Sequence, residues 1–363
     1  YFTFKLGKLN IGVKDNMEHN LFKDVQMDTI RGQSYAFNDV MFFVKSQDSS
    51  RVRYEFSYKN RVEYLPGEEL LQHHLLIQDA NALLTFANVK NQLLSLKGTY
   101  RNQKLMDTTA ERTAEHYYVG SLEYNGRFFR NALVLNTYYE MGSGMELQKS
   151  FTYLKVAKGQ GTHVWNDYNG NGVEELDEFE VAAYVDEADY IKVWLPGTSY
   201  INTYCSSLTQ SVQLRPAAVW SRSSGFKKFL SRFTDVAMLR TQQKCVTPML
   251  NPFYFQLEDT NLVNSTFSLT NTFSMNNSSS KFAFDFIVQK LQNKSLLYYG
   301  VETNGVDKQQ VVLKSTPFKG LYLQTDYAHV LQQNNSDYMI GRRYCIEQHQ
   351  ATGSIQVQIK NSY

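Results

Sequence analysis

The chain has 363 residues, enough for one large domain or two ordinary ones. A formal net charge of +2 gives no bulk electrostatic case for a nucleic-acid or a membrane partner, and only 6 prolines exclude a proline-rich disordered chain. Aromatic residues reach 14%, with 25 Tyr and 23 Phe among many Asn, Gln, Ser and Thr, which suits sheets with one apolar and one wet face.

No apolar run of about 18 residues is present, so no transmembrane helix is expected, although barrel strands escape that criterion. The opening YFTFKLGKL has mid-strand character and no leader pattern, which points to a fragment of a larger protein. Tyr1 to Val13 reads as a strand pair or one long strand, Asp15 to Asp39 as polar and irregular, and Met41 to Val44 as an apolar run. In RVRYEFSY, Val52, Tyr54, Phe56 and Tyr58 face one way and Arg51, Arg53, Glu55 and Ser57 the other, the period of a half-buried strand. Pro66-Gly67 breaks the chain, and the Leu- and Ala-rich stretch Leu70 to Ala87 is a helix candidate. Within it His73 and His74 are adjacent and point apart, so they do not share a metal. Asn91 to Tyr100 is a strand and Asp107 to Glu115 a polar connection. Tyr117 to Arg127 and Asn131 to Met141 form a hairpin around Asn125-Gly126 or around Arg127 to Arg130. Gly142 to Gly144 predicts a turn, followed by a strand over Phe151 to Val156.

The best-marked stretch is Trp165 to Glu180, WNDYNGNGVEELDEFE. Counted from Asp167, it places Asp167, Asn169 and Asn171 at positions 1, 3 and 5, Gly172 at 6 and Glu178 at 12, the spacing of a calcium loop. Ca²⁺ takes roughly 6–8 oxygen ligands, which this spacing can supply. Gly172 permits the sharp turn, the Val173 carbonyl is the backbone ligand, Glu175 acts directly or through water, and Glu178 closes the shell. Glu174 stands where an EF-hand has an aliphatic residue, and GQGTHVWN before the loop is not helical, so the loop is expected between β elements. The competing reading is a polar Asn/Gly turn followed by a solvated acidic run.

Beyond the loop, Glu180 to Ala188 is a short helix or a turn, and Tyr190 to Leu195 a strand stopped by Pro196-Gly197. Tyr200 to Leu214 is a further strand pair. Gly225 to Gln242 begins with helical spacing of Phe226, Phe229, Leu230 and Phe233 and is locally basic, with later alternation. The last hundred or so residues read as a β meander turning at Asn276 to Ser280, Asn293-Lys294, Asn304-Gly305, Lys319-Gly320 and Asn334-Asn335. Ile355, Val357 and Ile359 close it. Cys205, Cys245 and Cys345 lack C-x-x-C spacing and read as isolated thiols.

No G-x-S-x-G, phosphate loop or H-E-x-x-H occurs, and the carboxylates of the loop read as metal ligands in place of a glycosidase pair. The expected fold is all-β: a long antiparallel meander, as a β-barrel or large twisted open sheet, over a single β-rich domain 1–363 with the EF-hand-like calcium loop inserted at 165–180.

The combination NDYNGNGVEELDEFE (166–180), DYIKVWLP (189–196) and GFKKFLSRF (225–233) resembles the plug-type component of the type 9 secretion translocon, a large outer-membrane-associated β protein. The likeness covers mainly 93–240. It implies a non-enzymatic protein at the outer membrane or its periplasmic face, with a large translocon barrel and a shuttle barrel as partners, that occludes or gates the pore. Membrane lipid is a further expected partner and nucleic acid is not. A free-standing outer-membrane barrel for transport or adhesion, and a secreted calcium-dependent glycan-binding or hydrolytic module, are the competing readings.

Overall fold

The computed structural model describes residues 1–24, 29–47, 50–67, 70–89, 91–106, 115–247, 262–276, 281–297, 300–336 and 342–357. The fold is all-β, 75% strand and 5% helix, and its strands run as an antiparallel meander. Two compact units divide the chain, the first made of 1–126 with 137–143 and the second of 127–136 with 144–363.

In the first unit, β1 (Phe2–Leu6), β2 (Leu9–Asn20), β3 (Tyr35–Ser46), β4 (Val52–Pro66), β5 (Leu71–Val89), β6 (Gln92–Leu105) and β7 (Glu115–Phe128) each pair antiparallel with the next. A segment of β8 (Leu133–Lys155) also belongs to this unit. The chain reverses between β7 and β8 at Phe129, Arg130 and Asn131, all with positive φ, which is the second of the two turn positions expected.

The second unit holds the rest of β8, the three-residue strands β9 (His163–Trp165) and β10 (Phe179–Val181), and the 25-residue strand β11 (Tyr190–Leu214). Two short helices, α1 (Ala217–Trp220) and α2 (Phe226–Leu230), lead into β12 (Phe233–Cys245). β13 (Leu262–Met275), β14 (Phe282–Leu297), β15 (Gly300–Phe318), β16 (Leu321–Ser336) and β17 (Tyr344–Val357) follow, each antiparallel to its predecessor.

Several expected breaks are absent. Of the Leu70 to Ala87 stretch, all but Leu70 is strand, within the 19 residues of β5, because ladders to both β4 and β6 override the helical propensity of Leu and Ala. Asp15 to Asn20 continues β2, and its polar side chains take positions on a sheet that needs no apolar residue there. β8 runs straight through Gly142 to Gly144. At Gly142 a Cβ would lie 3.2 Å from the Tyr118 carbonyl, so the residue serves close backbone approach in place of a turn. β11 runs through Pro196-Gly197 and stays one strand to Leu214. Its register with β12 starts only at Tyr204, so Pro196 removes no bond to β12. Asn293-Lys294, Asn304-Gly305 and Asn334-Asn335 are strand residues paired in register with one another's strands, whereas Lys319-Gly320 does turn the chain. Most of the Asp107 to Glu115 connection, the Asn276 to Ser280 tip and Ile359 fall outside the described residues. None of the three cysteines is in a disulfide. Cys205 pairs with Lys244 and Cys245 with Tyr204, so the two thiols leave opposite faces of the sheet.

Candidate functional site

The loop 166–178 joins β9 to β10, whose register pairs Phe179 with Trp165 and Val181 with His163. It therefore closes a hairpin and has no flanking α-helix; Leu176 to Glu178 is a single 3₁₀ turn. The hairpin is seated on β8 and β11 by aromatic contacts. Tyr153 stacks on Phe179 at 4.0 Å, His163 meets Tyr153 edge-on at 5.1 Å, and Phe179 meets Tyr190 edge-on at 4.9 Å. The chain before β9 lies so close to β11 that a Cβ on Gly161 would come within 2.6 Å of the Tyr190 nitrogen. Burial, and next the Lys192 charge, hold the His163 imidazole down to about 4, so it is neutral at pH 7.

Inside the loop the side-chain oxygens are gathered by backbone N–H groups. Asp167 Oδ1 accepts from Gly170 (2.7 Å) and Asn171 (3.2 Å), and its Oδ2 accepts from Gly172 (2.8 Å). Asn169 Oδ1 accepts from the Asn171 N–H at 2.9 Å, and Asn171 Oδ1 from the Val173 N–H at 2.6 Å. Asn169 Nδ2 donates to Glu175 Oε2 at 2.6 Å, which links positions 3 and 9. Glu178 is only 3% exposed. Its Oε1 accepts from the Tyr168 N–H at 3.2 Å, and its Oε2 accepts from Trp165 Nε1 at 2.9 Å and the Glu175 N–H at 3.4 Å. Gly170 and Gly172 have φ of 72° and 68°, which permits the coil.

Asp167, Asn169, Asn171, Glu175 and Glu178 thus belong to one bonded network, while the Val173 side chain points to solvent. The donors are all oxygen, and Asp167 Oδ2, Asn169 Oδ1, Asn171 Oδ1 and Glu178 Oε1 each keep a lone pair after these bonds, the chemistry a hard divalent cation requires. The carboxylates do not close on one another: among the described residues, the three-member ligand group within 4.8 Å lies elsewhere, at His329, Glu347 and His349. Two partners of the loop stand outside the ligand spacing: Trp165 flanks it in the sequence, and Tyr190 carries no sequence signal. Trp165 Nε1 meets Glu178, and the Tyr190 hydroxyl donates to Glu174 Oε1 at 2.6 Å from a strand that begins beyond the loop.

A second feature occupies the first unit. Strand register aligns four rows of apolar residues across one face. Val52–Phe86–Leu94–Tyr124 and Tyr54–Leu84–Leu96–Leu122 make the first two. Phe4–Ile11–Val44–Phe56 continues into Ala82, Gly98 and Gly120 as the third. Phe42–Tyr58–Ala80–Tyr100–Tyr118 forms the fourth. The next row, Asp15–Val40–Asn60–Gln78–Asn102–His116, is mostly polar, and the Tyr100 hydroxyl reaches into it to bond His116 Nδ1 at 2.8 Å. From Val52 to Tyr58 the band rises about 20 Å at roughly 3.4 Å per residue. Phe42 is 54% exposed and Phe56 55%, and the small residues Ala80, Ala82, Gly98 and Gly120 floor an open trough of about 980 Å³ between the rings.

The opposite face is charged. Asp79, 3% exposed, receives Arg101 Nε at 2.7 Å and Nη2 at 3.1 Å, with Lys59 Nζ at 3.3 Å on its other side. Arg61 lies 3.6 Å from Asp39 and over the Phe37 ring at 3.9 Å. The apolar face of this unit thus carries exposed rings, while the carboxylate of Asp79 on the charged face is buried. No family model matches the chain, and no curated protein matches it.

Proposed function

We propose that the chain is a non-enzymatic β-structure of the bacterial outer membrane, with the apolar band of its first unit turned to lipid and its hairpin loop held by Ca²⁺. One observation carries the membrane reading: an uncovered, in-register apolar band about 20 Å high, bounded by Tyr58, Tyr100 and Tyr118 and backed by a charged face. A lipid-facing barrel surface combines an apolar band about 25 Å tall, aromatic girdles and a polar interior, for the same physical reason. Hydrocarbon accepts the Phe, Leu and Ala rows at no cost, while Asp79, Lys59 and Arg101 must find one another or water.

The likeness of 166–180, 189–196 and 225–233 to a translocon plug component extends this reading to protein export. The role there is to occlude or gate the pore by shape, in contact with a large translocon barrel and a shuttle barrel. The band favours a place within the membrane over one wholly on its periplasmic side. Calcium supplies a structural charge at the loop, where Asp167, Asn169, Asn171, Glu175, Glu178 and the Val173 carbonyl are the ligands.

Alkaline carbonate extraction of native membranes, followed by affinity purification, tests the proposal. Retention in the pellet and co-purification of two barrels is the expected result. Retention without a partner barrel selects the free-standing barrel, and release as a monodisperse protein without detergent overturns the membrane reading.

A further inference from the structure

On β16 and β17, far along the chain from the loop, the side chains of His329, Glu347 and His349 converge. His329 and His349 are directly opposite one another in the strand register, and Glu347 is two residues from His349 on the same face. The imidazole rings stack with centroids 4.9 Å apart, and both present Nε2 to one carboxylate oxygen. Glu347 Oε1 is 2.9 Å from His329 Nε2 and 3.6 Å from His349 Nε2. All three ligand atoms lie within 4.8 Å of one another.

We infer that His329, Glu347 and His349 form a binding site for a borderline divalent cation, Zn²⁺ in the first instance. Zn²⁺ with bonds of about 2.0–2.1 Å places neighbouring tetrahedral ligands about 3.3–3.4 Å apart. The two observed His–Glu edges, 2.9 and 3.6 Å, bracket that spacing, and closing the third edge, between imidazole nitrogens that lie within 4.8 Å of one another, needs the stacked rings to turn so that both Nε2 lone pairs converge on the ion. Two imidazole nitrogens select a borderline ion over calcium, and a single carboxylate leaves a fourth position open to water.

One ligand has an outer-shell partner that fits the metal-binding tautomer. His349 Nδ1 lies 2.9 Å from the Tyr327 hydroxyl, the preceding same-face position of β16. With Nδ1–H donating to that oxygen, Nε2 keeps its lone pair for the metal, the outer-shell arrangement that orients metal-binding histidines. His329 Nε2–H donates to Glu347 in the metal-free protein, and the ion takes the place of that proton. No cation occupies the directly opposed same-face positions, where Gln309 pairs with His329 and Leu331 with Glu347.

Calorimetric titration of the detergent-purified full chain with Zn²⁺, in excess Ca²⁺ to saturate the loop, tests the site. One Zn²⁺ per chain is expected, with affinity falling at least tenfold in His329→Ala, in His349→Ala and in Glu347→Gln. Tyr327→Phe should cost about tenfold, the lower end for an outer-shell partner, and Asp167→Ala should leave the titration unchanged. Cu²⁺ as a spectroscopic probe should show two equatorial nitrogens in its paramagnetic resonance spectrum. All the substituted side chains are at least partly exposed, and a circular dichroism spectrum matching the parent establishes folding. Absence of stoichiometric Zn²⁺ binding, or binding unchanged in the double variant His329→Ala/His349→Ala, overturns the inference.

Discussion

Glu178 is the residue on which the hairpin loop turns. It is a buried carboxylate that accepts from Trp165, Tyr168 and Glu175, so its removal leaves three donors in want of a partner. Glu178→Ala should therefore destabilise the loop by about 2–4 kcal/mol even without metal. Thermal unfolding with Ca²⁺ and with chelator checks both halves of that statement. The parent should melt higher with Ca²⁺, and Asp167→Ala should abolish the difference. An unchanged melting curve on chelation would reduce the loop to a polar turn. His163 adds a pH dependence. Its folded-state value of about 4 lies below the ordinary 6.5, so the unfolded chain binds the extra proton between those limits. Stability from this group is complete above pH 6.5 and is lost as pH falls toward 4. Melting of the parent across that window should show the loss, and His163→Phe, which keeps a ring on Tyr153, should flatten it.

Among the elements, the β9–β10 hairpin depends on close approach to β11. Gly161→Val should displace it, because the new Cβ would fall inside the contact distance of the Tyr190 and Ala188 backbone. A cost of about 1–3 kcal/mol is typical of such overpacking. Loss of the Ca²⁺-dependent melting shift, with strand content retained by circular dichroism, would locate the damage in the hairpin. β5 shows how sheet context overrides composition. Leu71 to Val89 is rich in helix formers, yet its neighbours supply ladders on both sides, and Ala80 and Ala82 are the small side chains that the trough between aromatic rows requires. The alternation over Val52 to Tyr58 was plain in the sequence because β4 carries one apolar and one charged face. Asn and Gly pairs were weaker guides, since Asn293-Lys294, Asn304-Gly305 and Asn334-Asn335 sit in mid-strand, held in the ladders of their neighbours.

For the molecule as a whole, the proposed lipid contact turns on the difference between the two faces of the first unit. Ala82 lies inside the apolar band and Ser57 on the charged face. Ala82→Lys should oppose membrane insertion by about 2–4 kcal/mol, the range for a lysine near the bilayer midplane. Ser57→Lys should be tolerated. Flotation of the two variants with liposomes separates the cases, and equal recovery of both would sink the lipid assignment.

The all-β class, the antiparallel meander, the alternating faces and the spacing of oxygen-bearing side chains from Asp167 to Glu178 are properties of order along the chain, and the sequence by itself determined them. Periods of 2 and fixed loop offsets need no distant partner. What only the tertiary structure decided is register: that Phe56, Ala82, Gly98 and Gly120 share a row, that Trp165 reaches Glu178, and that His329 stands opposite His349. A slip of one residue between neighbouring strands would send each such set to opposite faces, and register is set by hydrogen bonding between segments remote in sequence, which no local pattern encodes.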